Sequence, residues 1–234
     1  MIPPRLFDET VRERRSAGPQ PRLVEHLEGS SQHPRNLAFR GEHASLDTVE
    51  IDRAVIEDAV HEGETMGPRD FVGLIERYHD DRPGVPQDAV AAYAHELAAL
   101  RDYGFDAEGF FETVDERMAD SESWTGSDRF YALDDDRLSL YPVRWHDALG
   151  GSTDAAEYVR YIRESEQEYV EALDSGSAGA GIPRDTLSYV IQVVGRVDRE
   201  TAAAAIEDAR DRDDVVLDAE QHPQAGVYLP EDVG

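Results

Sequence analysis

Helical periodicity in short stretches, each closed by glycine or proline, runs through this chain from Thr48 onward. Apolar residues recur three or four positions apart in these stretches, as they do along one face of an α-helix. The spacing predicts helices over residues 49–60, 68–82, 86–103 and 106–118. Because short helices joined by tight breaks bury their apolar faces on one another, we expect a compact helical bundle.

Two later stretches change to the period of a β-strand. Residues 129–143 hold two apolar runs around the acidic turn 134–136 and predict a β-hairpin, which Trp124 and Trp145 are expected to seal against the bundle. Residues 215–229 hold two apolar runs around a polar turn and predict a second hairpin. The fold class that we expect is therefore α+β and mostly α.

Capping signals predict three further helices near the second hairpin. These helices span residues 154–173, 183–194 and 199–212. Asp154, with Glu157 three residues later, has the spacing of a capping box. Pro183 stands at a favoured position for opening a helix, and Asp198 is a favoured N-cap residue. The glycine-rich segment 175–181 is expected to be a flexible break.

The charge of the chain is strongly unbalanced. There are 51 acidic residues against 23 basic ones, a net charge of −28, and every basic residue is arginine because the chain has no lysine. At molar salt the Debye length falls to ~3 Å or less, so the repulsion between these carboxylates is largely screened. The composition resembles that of haloarchaeal proteins, in which surface carboxylates keep the protein hydrated. We therefore expect a halophilic archaeal protein, whose acidity does not argue against nucleic-acid binding.

The first 40 residues depart from this acidic pattern. They contain seven arginines against five acidic residues, a net charge of +2, so the remaining residues carry −30. Such asymmetry marks an arm that meets an acidic partner. The alternative is a short helix over residues 5–16 whose arginines pair with neighbouring glutamates.

The C-terminal elements, taken in order, are helix, helix, helix and hairpin, and this order resembles a winged helix-turn-helix. The residues that carry the resemblance are Gly181, Ile182, Pro183, Leu187, Ile191, Gly195, Ile206 and the run Val227-Tyr228-Leu229-Pro230. Over residues 154–232, their hydrophobic spacing is most similar to the C-terminal winged-helix module of archaeal replicative helicases. The ATPase motifs of those helicases are absent, so only the appended module is shared.

The resemblance implies a role for the helix 199–212, since the helix before the wing enters the major groove in DNA-binding winged helices. The implied nucleic-acid contacts on this helix are Arg199, Arg210 and Arg212. The charge asymmetry of the arm adds Arg12, Arg14 and Arg15 as auxiliary contacts. On this helix we expect Ala203, Ile206 and Ala209 to face inward and Ala202 to face outward with the arginines. Winged helices also dock proteins, and the net charge of −7 over residues 183–234 keeps that alternative open.

No motif for catalysis, a cofactor or a metal ion emerges from the sequence. The absence of cysteine excludes disulfides, thiolate nucleophiles and cysteine-ligated metal centres. His61-Glu62 begins like a zinc-protease motif but lacks the second histidine, and His79-Asp80-Asp81 lies at a helix end, where histidine meets the helix dipole. His146-Asp147 is either a general acid/base pair or a structural histidine beside an aspartate. We expect no cofactor and no metal ion.

The sequence thus predicts three regions: a basic, partly disordered arm (1–47), a helical domain with a β-hairpin (48–150) and a winged-helix domain (151–234). Our first hypothesis is a non-enzymatic nucleic-acid-associated factor in transcription or replication. The alternative is an adaptor or scaffold whose winged helix binds a protein, and a third is an enzyme that its motifs do not identify. With no apolar run of ~18 residues and no signal-peptide core, we expect a cytoplasmic protein that contacts no membrane.

Overall fold

The computed structural model describes residues 49–63, 66–101, 103–134, 136–173, 181–219, 222 and 224–233. The predicted N-terminal arm with Arg12, Arg14 and Arg15 lies outside the described residues, as does most of the predicted glycine-rich break. The fold is α+β and mostly helical, as predicted. No helix in the described part of the chain is long and apolar enough to cross a membrane.

The helices and strands are short. The helices are α1 (Arg53–Glu62), α2 (Pro68–Tyr78), α3 (Gln87–Ala99), α4 (Ala107–Arg117), α5 (Val143–Leu149), α6 (Ala155–Ser165), α7 (Gln167–Leu173), α8 (Arg184–Gly195) and α9 (Arg199–Asp211). The strands are β1 (Val85–Pro86), β2 (Met118–Ala119), β3 (Phe130–Leu133), β4 (Arg137–Ser139), β5 (Ile182–Pro183), β6 (Val216–Leu217) and β7 (Gly226–Tyr228). A 3₁₀ turn, Pro230–Asp232, follows β7.

Aspartate N-caps fix where several of these helices begin. Asp52, Asp106, Asp154 and Asp198 precede α1, α4, α6 and α9, and each accepts a hydrogen bond from a backbone N–H of the first turn. The two caps predicted from the sequence, Asp154 and Asp198, are therefore confirmed. The predicted capping box is wrong in one detail: Glu157 accepts a 2.7 Å hydrogen bond from the Ser152 hydroxyl.

The strands form two small sheets. In the first, β4 pairs antiparallel with both β1 and β3, β2 pairs parallel with β3, and the order is β1-β4-β3-β2. In the second, β7 pairs antiparallel with both β5 and β6, and the order is β5-β7-β6. Both predicted hairpins are confirmed, while β1, β2 and β5 were not predicted from the sequence.

Two segments of the chain repeat one order of elements. We define the first repeat as residues 68–139 and the second repeat as residues 155–228. Each runs helix, strand, helix, helix, hairpin, with an added strand β2 in the first repeat and a broken first helix in the second. In both repeats the early strand pairs with the last strand of the hairpin, as Val85 with Leu138 and Ile182 with Val227.

The same short motif builds the strand in each repeat. It reads Gly-Val-Pro-Gln-Asp at 84–88 and Gly-Ile-Pro-Arg-Asp at 181–185. A Cβ on Gly84 would lie 2.6 Å from the carbonyl oxygen of Leu138, and a Cβ on Gly181 would lie 2.7 Å from that of Val227. Glycine is therefore required in both repeats because the backbones approach closely at corresponding places.

Hydrogen bonds at the next residues correspond as well. The backbone N–H of Gln87 donates to the carbonyl oxygen of Asp136 at 3.0 Å, and that of Arg184 donates to Ala225 at 2.9 Å. In each repeat the motif's aspartate then accepts from the next backbone N–H, at 2.8 Å in the first and 2.7 Å in the second. The repeats thus share local geometry as well as topology.

One continuous hydrophobic core extends through both repeats. Helix α2 of the first repeat packs against α8 of the second, where Gly73 lies against the Tyr189 hydroxyl and has no side chain to obstruct it. Trp145 of α5 is fully buried, with its ring 5.0 Å from both Tyr141 and Tyr169. The predicted boundary at residues 150 and 151 lies in the turn between α5 and α6.

Several predicted helices have different bounds in the structure. The helix expected over 154–173 is broken at Glu166 because this buried carboxylate turns inward and accepts a 3.2 Å hydrogen bond from the backbone N–H of Trp124. Helix α2 ends at Tyr78 and α3 at Ala99, each about one turn earlier than predicted. Helix α5 was not predicted.

Candidate functional site

Helix α9 presents the arginines that the resemblance selected, though its orientation differs from the one predicted. Ala202 is fully buried with Ile206, whereas Ala203 is only partly buried, so the expected places of the two alanines are wrong. The apolar stripe follows spacings of three and four residues, from 202 through 205 and 206 to 209. The prediction chose an adjacent stripe because alanines fill four consecutive positions, 202–205, and carry little directional information.

The three arginines of this region do not converge. Arg199 is exposed at the start of α9, whereas Arg210 lies in its last turn, ~16 Å away at 1.5 Å per residue. A guanidinium nitrogen of Arg210 lies 2.7 Å from a carboxylate oxygen of Asp211, and one of Arg212 lies 2.8 Å from Asp214. Ion pairs at a solvated surface are weak, so both guanidinium groups can turn toward another acceptor at little cost.

A cavity of about 380 Å³ lies beside α9. Three arginines line this cavity, which we call the arginine cleft: Arg77 of α2, Arg184 of α8 and Arg199 of α9. The remaining lining residues are Asp185, Ser188, Tyr189, Gln192, Ala203 and Ile206. Three helices thus bring guanidinium groups from both repeats to one cavity.

The charges of the arginine cleft are only partly compensated. Arg184 forms a 2.8 Å ion pair with Glu207, while Arg77 lies over the ring of Tyr189, 5.2 Å from its centroid. Neither Arg77 nor Arg199 forms an ion pair with any described residue. The carboxylate of Asp185 accepts from the backbone N–H of Thr186 and from the side-chain amide of Gln224, so it is already engaged.

An adjoining cavity of about 610 Å³ lies on the other side of Arg77 and Arg199. Its wall is acidic, with carboxylates from α1 (Asp58 and Glu62), from the turn after α2 (Asp80) and from the N-cap of α9 (Asp198). None of these carboxylates is within ion-pair distance of either arginine. The two arginines therefore stand at the border between an acidic cavity and the arginine cleft.

A buried polar cluster lies apart from this surface. The Ser139 hydroxyl is 2.9 Å from Nε2 of His146, and a carboxylate oxygen of Glu76 accepts a 3.0 Å hydrogen bond from the backbone N–H of Leu140. Burial raises the pKa of Glu76 to about 7 and, together with the nearby Arg196 guanidinium, lowers the pKa of His146 to about 4. Histidine is thus neutral and glutamate is poised to hold a proton near neutral pH.

This cluster does not have the geometry of a nucleophilic triad. The serine of a triad contacts the histidine on one side only, and the acid orients the histidine's other nitrogen. Here Nδ1 of His146 and one oxygen of Glu76 have no hydrogen-bond partner in the described part of the chain. Glu76, Ser139 and His146 are all buried, so no substrate reaches them. Of the two alternatives for His146, the structure favours a structural histidine, and its hydrogen-bond partner is Ser139.

The other histidine motifs also have structural surroundings. Nε2 of His79 is 3.0 Å from the Tyr93 hydroxyl, which itself accepts a 2.8 Å hydrogen bond from the backbone N–H of Asp52. Burial lowers the pKa of His79. Among the residues that the structure describes, no three histidine, aspartate or glutamate side chains are grouped so as to hold a metal ion. His61 is exposed near the end of α1.

The sequence interpretation missed Arg77 and Arg184. A signal for Arg184 was present in the motif shared by residues 84–88 and 181–185, which aligns the two repeats without a gap through α3 and α8. Arg77 precedes this aligned segment and has no such signal. The shared positions are those that the strand and turn require. The positions that differ include those of the cleft: Arg184 and Tyr189 stand where the first repeat has Gln87 and Ala92.

The start of the following helix differs in the same way. Asp198 and Asp106 are corresponding N-caps, and the residue after them is Arg199 in the second repeat and Ala107 in the first. The fold does not require arginine at either place, since the first repeat forms the same helices without it.

Comparison of the chain with models of known families, with curated proteins and with solved structures finds no match.

Proposed function

We propose that this protein is a non-enzymatic nucleic-acid-associated factor of transcription or replication, acting in the cytoplasm of a halophilic archaeon through a C-terminal winged helix. The observation that supports the proposal is the order and pairing of the elements of the second repeat. Strand β5 precedes α8 and pairs with β7, while α9 directly precedes the hairpin of β6 and β7. In winged helices the helix at this place enters the major groove and the hairpin contacts the backbone.

The solvent-facing side of α9 favours direct hydrogen bonds over general phosphate attraction. Glu200, Glu207, Asp208 and Asp211 are exposed on it together with Arg199. Attraction to phosphates depends steeply on salt and is small at molar salt. Arginine can still read guanine edges through two parallel hydrogen bonds, which depend on geometry more than on net charge.

Binding to DNA at native salt tests this proposal. Fluorescence anisotropy of labelled, sheared genomic DNA would be measured in about 2 M KCl, where the Debye length is ~2 Å, with an unrelated acidic protein as control. Replacing Arg210 and Arg212 together by glutamine should weaken binding about tenfold or more, because direct contacts are lost. The matched control is Arg117→Gln, in the last turn of α4, the corresponding helix of the first repeat.

The possible outcomes test two things separately: whether the end of α9 contacts DNA, and whether the protein binds DNA at all. A double variant that binds DNA as the wild type does would remove the end of α9 as the reader. A wild-type protein that binds no DNA in molar salt would remove the nucleic-acid proposal altogether. The circular dichroism spectrum of each variant shows whether folding is intact, which we expect because exposed substitutions have small effects on stability.

A protein-docking adaptor is the second candidate function, and a specific observation favours it. Arg210 and Arg212 are both paired with neighbouring carboxylates, and most exposed side chains of α9 are acidic. A partner with a basic surface would complement this helix. The adaptor is supported if purified protein forms no DNA complex yet co-purifies at native salt with a partner that Glu207→Gln and Asp211→Gln release.

A further inference from the structure

We propose that the arginine cleft is a binding site for a phosphate-bearing ligand. The site shares Arg199 with the helix that the proposed function assigns to DNA, but Arg77 and Arg184 are not among the arginines assigned to DNA, so the two proposals can fail separately. A nucleic-acid backbone and a free nucleotide present the same chemistry, a phosphate group beside a flat organic part. Both sources would contact the same groups of the cleft, and calorimetry distinguishes them.

Charge is the first observation. Acidic residues outnumber arginines more than two to one in the chain, yet the cavity is lined by three arginines and one aspartate. That aspartate, Asp185, is already engaged by Thr186 and Gln224. The acidic groups needed to neutralise Arg77 and Arg199 are abundant in this protein but do not reach them within ion-pair distance. An anion in the cavity would supply the missing counter-charge.

Shape is the second observation. A volume of about 380 Å³ is larger than an inorganic phosphate ion needs and falls within the range of small-molecule sites. Guanidinium groups present paired donors that match phosphate oxygens. The ring of Tyr189 and the side chains of Ala203 and Ile206 provide an apolar wall beside these donors. The lining therefore suits a ligand that joins a phosphate to a flat or apolar group.

The cleft is also held in place before any ligand enters. Arg77 rests on the ring of Tyr189, and the tyrosine hydroxyl lies against Gly73, where any side chain would obstruct it. The side-chain amide of Gln192 donates a 3.1 Å hydrogen bond to the carbonyl oxygen of Ser188, which fixes another polar wall. A site whose donors are already positioned loses less conformational entropy on binding.

The first repeat provides an internal comparison. Its corresponding positions carry Gln87, Ala92, His95 and Ala107, none of which is arginine. Both repeats nevertheless form the same pair of helices behind the same glycine–proline strand. Arg184 and Arg199 are therefore not needed to build the fold, which is consistent with their serving a ligand in the cavity that they share with Arg77.

Calorimetry with the full chain tests the site. The probes are inorganic phosphate, adenosine monophosphate and a short DNA duplex, each titrated in about 2 M KCl so that unspecific attraction is screened. We expect adenosine monophosphate or the duplex to bind, and Arg77→Gln and Arg184→Gln each to weaken that binding at least tenfold. Arg184→Gln installs the residue of the first repeat, so it should fold even if loss of the Arg77–Tyr189 contact impairs the other variant.

The outcomes separate this proposal from the proposed function. Nucleotide binding that the cleft variants weaken assigns a free nucleotide, and duplex binding alone assigns a backbone phosphate. Duplex binding that only the Arg210 and Arg212 variant weakens overturns the cleft and leaves the proposed function intact. Nucleotide binding without duplex binding supports the cleft and counts against the proposed function. If no probe binds, or if Arg117→Gln weakens binding as much as the cleft variants, the proposal is overturned.

Discussion

Replacing Glu76 by glutamine should make the protein more stable above neutral pH. The glutamate side chain is 3 % exposed, and burial raises its pKa to about 7 from an ordinary value of 4.5. One of its oxygens accepts from Leu140, and the other has no partner among the described residues. Holding a negative charge there is unfavourable, although hydrogen bonding by Ser139 and Leu140 and, to a smaller extent, the charges of two arginines reduce the penalty.

The sign and size of the effect follow from the two pKa values. Because the folded protein binds this proton more tightly than the unfolded chain, the associated stability is fully present below pH 4.5 and is lost as pH rises through 7. The difference corresponds to about 3 kcal/mol at most, taking 1.36 kcal/mol per pH unit. Glutamine does not ionise, so the variant should escape this loss and exceed the wild type at pH 8.

Urea unfolding followed by circular dichroism at pH 5 and pH 8 measures the effect. His146 opposes it in the wild type, since its pKa of about 4 makes stability fall as pH drops from 6.5 toward 4. The histidine is present in both proteins, so their difference in stability isolates Glu76. Glu112→Gln, on the exposed side of α4, is the matched control. A stability difference that is equal at pH 5 and pH 8 would refute the reasoning.

Three further predictions concern the backbone, a helix cap and salt. Gly84→Ala should destabilise the protein by roughly 1–3 kcal/mol in urea unfolding, since φ is +66° and the new Cβ would meet Leu138, whereas Gly104→Ala meets nothing within 4 Å and should not. Asp154→Ala should cost about 1 kcal/mol because it removes the acceptor for the first turn of α6, and an unchanged urea midpoint would contradict this. The melting temperature should fall between about 3 M and 0.05 M KCl as repulsion becomes unscreened, and a constant value would contradict the halophilic interpretation.

Local signals predicted the helices and hairpins well because their causes lie close together in the sequence. Asp198 caps α9 as expected, since an N-cap needs only its own first turn. The two-residue strands were missed because their pairing depends on distant residues, as between Val85 and Leu138. The break at Glu166 was missed for the same reason: its partner is the backbone of Trp124, on another part of the chain.

The candidate site shows the same limit more strongly. Arg77 and Arg184 belong to different repeats and line one cavity where Gly73 leaves room for Tyr189 beside α2. Periodicity indicates that a helix has a buried face, but it does not indicate which helix covers that face. Arg199 was selected from the sequence because the resemblance pointed to its helix. Arg77 has no signal in the sequence, and only the tertiary packing shows that Arg184 lies in the same cleft.

The repeated strand pairing has a consequence for how the chain reaches its native state. Every described strand pairs within its own repeat, so forming each sheet closes a loop of only about 50 residues. During synthesis the first repeat is complete before the second has left the ribosome, and no strand of the first waits for a later partner. Docking of α8 on α2 then joins the two repeats. The sheet of the first repeat therefore does not keep an unpaired, aggregation-prone edge while the rest of the chain is made.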